Sequence, residues 1–274
     1  IGCGVLGNCV ASGTEIIQRL GEEHLATRKP IVYTSADSVF QVAAHETIYP
    51  PEPLYEICRI ARRILQGPHG VGRVIARPFL GHAAGDFYRT ENRRDFSLPP
   101  PPHGLLQAVR EHGLTVTSIG KIRDIFAGQD VDISLPGHTN AESMQSLCEA
   151  LATAPDGLVF ANFVDFDMLF GHRNDPTGYA SALMQFDSGM RQLLPHGLQE
   201  GDILAVTADH GNDPTTPGTD HDREYVPLLV CGAGVRPKPL GIRASFADLG
   251  QTAAEYLGAT KLPAGESFLA ELLR

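Results

Sequence analysis

Two short runs constrain the fold of this chain most: residues 157–164, Gly-Leu-Val-Phe-Ala-Asn-Phe-Val, and residues 202–207, Asp-Ile-Leu-Ala-Val-Thr. Each is of strand length and shows little polar alternation, the pattern of a strand buried on both faces of a mostly parallel sheet. A further strand is predicted over 114–119, and a Thr139-x-x-Glu142 capping box starts a helix to about Ala152. Asp175 as N-cap with Pro176 behind it opens another helix, whose Tyr179, Leu183, Phe186, Met190 and Leu193 recur every three or four residues as a core face. Residues 225–231 read as the next buried strand and 247–257 as a closing helix. Strands alternating with helices predict an α/β core, a mostly parallel sheet with helices on both faces.

Upstream the grammar is mixed. Ser12-Gly13-Thr14-Glu15 reads as a capping box for a short helix through Leu20, 30–34 and 72–78 read as strands, and 53–65 is helical by spacing. This is the pattern of a compact α+β unit. The run Pro99-Pro100-Pro101-Pro102 cannot donate backbone hydrogen bonds and favours a stiff extended segment, so the domain joint is expected there, with 1–98 and 99–274 on either side.

Among the 274 residues, 32 acidic side chains against 22 basic ones give a formal charge of -10, which repels a nucleic-acid backbone. No stretch approaches the roughly 18 consecutive apolar residues of a membrane span. The five cysteines, Cys3, Cys9, Cys58, Cys148 and Cys231, are scattered and form no Cys-x-x-Cys pair, so neither a disulfide framework nor a zinc ribbon fits. The expectation is a cytoplasmic protein with no nucleic-acid or membrane partner.

The chemistry gathers where the buried strands end. Residues 157–164 run into Asp165-Phe-Asp167-Met-Leu-Phe-Gly-His172, and 202–207 run into Ala208-Asp209-His210-Gly-Asn-Asp213. A third cluster, Gly218-Thr-Asp-His221-Asp-Arg-Glu224, is expected just before a strand. Residues past the carboxyl ends of parallel strands line the ligand crevice of an open α/β sheet. Carboxylate and imidazole delivered to one rim suit a metal such as Mn²⁺ or Zn²⁺. Spacing does not choose between Asp165 and Asp167. The remaining histidines, His24 and His45 among them, fit solvated or structural roles.

Three segments are recognisable as motifs: Asn162-Phe-Val-Asp-Phe-Asp-Met-Leu-Phe-Gly-His172, Thr207-Ala-Asp-His-Gly-Asn-Asp-Pro214 and Pro217-Gly-Thr-Asp-His-Asp-Arg-Glu-Tyr-Val-Pro227. With Tyr33-Thr-Ser-Ala-Asp-Ser-Val-Phe40 they closely resemble the bacterial phosphopentomutases of the alkaline phosphatase superfamily, over nearly the whole chain. Thr-Ala-Asp-His-Gly alone marks the superfamily, whereas its combination with Tyr-Thr-Ser-Ala-Asp-Ser is specific to the mutases. The resemblance implies an alkaline-phosphatase-like α/β core with an inserted α+β cap. It implies Asp167, His172 and His221 as ligands of one Mn²⁺ and Asp209 and His210 as ligands of a second, with Zn²⁺ or Mg²⁺ as substitutes and a sugar bisphosphate as activator. It places Ser35, Asp37, Arg73, Arg89 and Lys121 around a pentose phosphate, and it implies interconversion of (deoxy)ribose 1-phosphate and 5-phosphate through a phosphoenzyme and a bisphosphate. In that family a further Asp ligand and the Thr that is phosphorylated lie in an N-terminal part of the core with no counterpart here. The chain therefore reads as a cap lacking its start followed by the C-terminal part of the core, without its catalytic nucleophile and inactive alone. Competing readings are a cofactor-independent phosphoglycerate mutase, a phosphatase of the same superfamily, and a non-catalytic binder of metal or sugar phosphate.

Overall fold

The computed structural model describes residues 1–35, 39–219 and 221–273. Its contacts divide the chain into unit 1, Ile1–Pro99, and unit 2, Pro100–Arg274.

Unit 1 runs β1 (Leu6–Val10), α1 (Gly13–Thr27), β2 (Ile31–Thr34), β3 (Val39–His45), α2 (Pro51–Ile64), β4 (Arg73–Leu80), β5 (Tyr88–Arg89) and β6 (Arg94–Ser97). These strands form one six-stranded sheet in the order β1-β2-β3-β4-β5, with β6 also on β4. β1 with β2 and β3 with β4 are parallel, and β2 with β3 is antiparallel. Because side chains alternate along a strand, Ile31, Tyr33, Ala43 and Phe79 face Ile16 and Ile17 of α1, while Val42, Ala44, Val74 and Ala76 face Leu54 and Cys58 of α2. Burial pushes the Cys58 thiol up to about 12, which makes it an inert core residue. The helix expected to stop at Leu20 continues to Thr27, and the Ser12 hydroxyl meets Thr14 Oγ1 at 3.0 Å instead of capping the helix. Gly21, just past the expected end, lies against Phe87, whose ring occupies the place of a Cβ.

Unit 2 runs α3 (Leu105–Glu111), β7 (Thr115–Ile119), α4 (Ile122–Ile125), β8 (Ile133–Leu135), α5 (Asn140–Thr153), β9 (Gly157–Ala161), α6 (Pro176–Gly197), β10 (Ile203–Val206), β11 (Leu229–Gly232), α7 (Ala247–Tyr256) and α8 (Leu269–Leu272). The expected capping devices are present: Thr139 accepts from the Glu142 backbone N–H at the start of α5, and Asp175 from that of Gly178 at the start of α6. β8, β7 and β9 form a parallel sheet. Ile119 packs with Leu147 and Ala150 of α5 and Met190 and Leu193 of α6. On the opposite face Val116 packs with Leu106 and Val109 of α3. Helices thus cover both faces and the α/β expectation holds.

Several local expectations are corrected. β9 stops at Ala161, and Phe166–Phe170 forms a π-helical turn, so Asp165 and Asp167 do not lie on an extended strand. β10 pairs antiparallel with β11 in a separate two-stranded sheet and has no backbone pairing with β9. Neither β10 nor β11 contains a buried residue, because a two-stranded ribbon has little of its own to cover it. β11 begins at Leu229 rather than at Tyr225, which is 86% exposed. His221 therefore precedes a long loop rather than a strand. Leu183, expected in the core stripe of α6, is half exposed while Met190 and Leu193 are buried. α7 is followed by α8, so it does not close the chain. Among the described residues no helix is long and apolar enough to cross a membrane.

Candidate metal centre

The π-helical turn after β9 and the 3₁₀ turn Gly171–Arg173 hold Asp167 and His172 five residues apart, and the loop closed by the Gly211–Asp222 bridge brings in His221. π-Turns of this kind concentrate at functional sites. Asn174 ties the two segments together through a 2.9 Å bond to the Thr216 carbonyl. Thr216 in turn donates to Asp222 at 2.7 Å.

The three candidate ligand atoms converge. His221 Nε2 lies 3.1 Å from Asp167 Oδ1 and 3.2 Å from His172 Nε2, and His172 Nε2 lies 3.3 Å from the same carboxylate oxygen. Among the described residues Asp167, His172 and His221 form the one group of three or more side chains fit to hold a metal ion. With metal–ligand bonds of about 2.0–2.2 Å, ligand atoms around a tetrahedral or octahedral ion stand roughly 3.0–3.5 Å apart, so the spacing fits. The proton inventory fits as well. His172 Nδ1 faces the Thr219 backbone carbonyl, an obligate acceptor, so it carries the ring proton. With Nδ1 as the donor, a neutral His172 ring would turn its Nε2 lone pair toward the Asp167 carboxylate and the His221 ring, and a cation there would satisfy all three groups.

Asn212 holds Asp167 from the other side, donating through Nδ2 to the same Oδ1. Gly171 packs against that Asn212 amide, and a Cβ there would displace it. Sequence reasoning passed over Asn212, although it sits in the Asp-His-Gly-Asn run. Asp165, the alternative to Asp167, is engaged elsewhere: its Oδ2 accepts from the Asn140 N–H at 2.7 Å and its own N–H donates to the Asn140 side chain at 3.0 Å. That places a carboxylate at the N-terminus of α5, where the helix dipole favours it.

His210 stacks on His221 with ring centroids 3.6 Å apart, and its Nε2 lies 3.7 Å from Asp209 Oδ1. These two side chains do not join the three-ligand group, and the Asp209 side chain is 70% exposed. Asp213 accepts from both the hydroxyl and the N–H of Thr215, which hold its carboxyl below the usual range. Lys121 reaches within 3.9 Å of the Met168 sulfur, next to Asp167 in sequence.

Of the sugar-phosphate residues expected in unit 1, Arg73 is on β4 and Arg89 on β5, and Ser35 follows β2. Asp37 is outside the described residues. Arg89 covers Gly13 at the start of α1, where a Cβ would collide with its guanidinium and with the Tyr33 hydroxyl. Arg73 lies 3.6 Å from Asp95, which also takes both prongs of Arg93 at 2.7 and 2.8 Å. Arg77, unforeseen in the sequence, belongs to the same cluster. Burial, then the positive charges of Arg93 and Arg89, lower it from the ordinary guanidinium value. Ser35 accepts a 3.2 Å bond from the buried Gln41 amide.

The metalloenzyme superfamily model matches residues 89–261. The phosphopentomutase of Desulfitobacterium hafniense is 57% identical over 274 residues, all of this chain and 70% of that protein. That of Dictyoglomus thermophilum is 54% identical over 99% of this chain and 69% of its own length. The phosphopentomutase of Symbiobacterium thermophilum is 56% identical over 97% and 67%.

Proposed function

The chain belongs to the phosphopentomutase family of the metalloenzyme superfamily, and from that premise we propose that it binds a pentose phosphate and a divalent metal for phosphoryl transfer between two positions of the sugar. The observation that carries this reading is the convergence of Asp167, His172 and His221 at ligand spacing. A nitrogen and oxygen donor set without thiolate suits Mn²⁺, with Zn²⁺ or Mg²⁺ as substitutes. A second ion would take Asp209 and His210. When bound, such ions neutralise phosphoryl oxygens and the charge that develops on the attacking and leaving oxygens.

The side chains divide the remaining work. Thr219 and Asn212 fix the orientation of His172 and Asp167, so the ligands are set before metal arrives. Arg73, Arg89 and Lys121 supply donors suited to phosphate oxygens, the arginines as planar forks and the lysine as a point charge. Ser35 and Asp37 take the sugar. The substrates in this reading are ribose 1-phosphate and ribose 5-phosphate and their deoxy forms, a bisphosphate forms on the way, and the enzyme works in the cytoplasm. The matched stretch is 70% of the first relative's length.

Competition binding in the presence of Mn²⁺ tests the reading. Ribose 1-phosphate and ribose 5-phosphate should displace each other from one site, and 3-phosphoglycerate and an aryl phosphate should displace neither. Displacement by phosphoglycerate would move the assignment to a phosphoglycerate mutase.

A further inference from the structure

In β3 of unit 1 the side chain of Gln41, 3% exposed, links three polar neighbours. Its Oε1 accepts from the Tyr33 hydroxyl at 3.1 Å and from Arg77 Nε at 3.0 Å, and its Nε2 donates to Ser35 Oγ at 3.2 Å. β2 and β3 place Tyr33 directly opposite Gln41, and Arg77 stands diagonally across on β4, so sheet register fixes the arrangement.

The donor and acceptor inventory gives this network one direction. A guanidinium has donors only, so the amide group facing Arg77 must be the oxygen. The group facing Ser35 is then NH₂, which only donates. Ser35 must accept from it, and the proton of the serine hydroxyl is left for another acceptor. The chain Arg77 to Gln41 to Ser35 thus occupies one lone pair of the hydroxyl and directs its proton away from Gln41, where it could otherwise have turned inward.

We propose that Gln41 is a positioning and specificity-determining residue that sets Ser35 as a hydrogen-bond donor, so that the ligand group bound there is an acceptor such as a phosphate oxygen. The proposal rests on the reading of Ser35 as a substrate contact, and it adds a residue and a direction to that contact.

Gln41→Glu is the sharpest test, because it keeps the shape and both bonds from Tyr33 and Arg77 but replaces NH₂ by an acceptor oxygen. Ser35 must then donate inward and turn its lone pairs to the ligand. Binding of ribose 5-phosphate to the Mn²⁺-loaded chain should weaken about tenfold to a hundredfold, the usual loss for a hydrogen bond to a charged group. Ser35→Ala should weaken it comparably. In the Ser35→Ala background Gln41→Glu should change affinity by less than about twofold, since the effect runs through the hydroxyl. A further drop in that background would mean that the new carboxylate acts by charge, and would overturn the proposal. If Gln41→Glu does not fold by circular dichroism, Gln41→Met should lose part of the affinity in the wild-type background and none beyond Ser35→Ala. Unchanged affinity in Gln41→Met would overturn the proposal too. Absence of ribose 5-phosphate binding by the unsubstituted chain would instead overturn the pentose phosphate reading and take this inference with it.

Discussion

In unit 1 the ring nitrogens of the buried histidines His24 and His45 are answered from within. His24 bonds the Lys29 carbonyl through Nδ1 at 2.7 Å and takes the His45 N–H on Nε2 at 2.9 Å, while His45 bonds Thr47 and the Gly81 carbonyl. In unit 2 two imidazole nitrogens and a carboxylate oxygen converge within 3.1–3.3 Å of one another. Both regions place histidine among close polar neighbours, and only the proton inventory separates them. Histidines whose two nitrogens both find complementary partners are structural, whereas imidazole nitrogens that converge with a carboxylate at ligand spacing could hold a cation.

The largest effect that sharpens this contrast is confined to unit 1. Phe79 is fully buried between His24, His45 and Phe87, and Phe79→Ala should cost about 3–5 kcal/mol of unfolding free energy by urea titration. Mn²⁺ affinity should survive under folding conditions. A parallel loss of both would mean that the units do not keep their stability apart.

Metal should act the other way round. At a free concentration about a hundred times its dissociation constant, Mn²⁺ should stabilise unit 2 by roughly 2.7 kcal/mol and leave unit 1 unchanged. Hydrogen exchange of α5 and α6 against α1 and α2, with and without chelator, reads this directly. Equal protection of both units by the ion would break the comparison.

A comparable or smaller effect is expected at Asn212. Asn212→Ala removes the amide that holds Asp167 and should weaken metal binding about ten- to a hundredfold, or roughly 1.4–2.8 kcal/mol. Calorimetry on the folded variant should show it, and unaltered affinity would mean that the carboxylate needs no such support.

The smallest effect concerns pH. Burial, reinforced by His45 and opposed by the bond to Lys29, lowers His24 from its ordinary value of 6.5. The unfolded chain then binds more protons than the folded one as the medium becomes acidic. The stability this group contributes is present above pH 6.5 and is lost as pH falls through its lowered folded value, because a protonated Nε2 no longer accepts from His45. His24→Gln should flatten that part of the stability profile in thermal melts between pH 7.5 and 5. An unchanged slope would assign it to another group.

Most features set by neighbours in sequence were legible before the structure, the Ser12 capping box being an exception. The Thr139 and Asp175 caps, the alternation of strands and helices, and the acid and histidine runs at strand ends all follow from residues a few positions apart. Non-local choices were not. The helix expected to end at Leu20 continues through Gly21, whose missing side chain Phe87 fills. β10 and β11 read as parallel core strands, yet a loop of 22 residues between them returns the chain antiparallel, a pairing that no local pattern encodes. Asp165 and Asp167 were indistinguishable by spacing because their difference lies in a π-turn and in the reach of Asn140. Gln41 and Arg77 were overlooked because Val39–His45 was not anticipated as a strand, and which polar side chains of β3 and β4 are covered depends on the packing of α1.

The central claim is that Asp167, and not Asp165, shares a metal with His172 and His221. Direct titration with Mn²⁺, following the free ion by electron paramagnetic resonance, decides it in three chains. The unsubstituted protein and Asp165→Asn should bind with similar affinity, while Asp167→Asn should lose the site with its fold intact by circular dichroism. Full Mn²⁺ binding by Asp167→Asn, or its loss in a folded Asp165→Asn, would contradict the account.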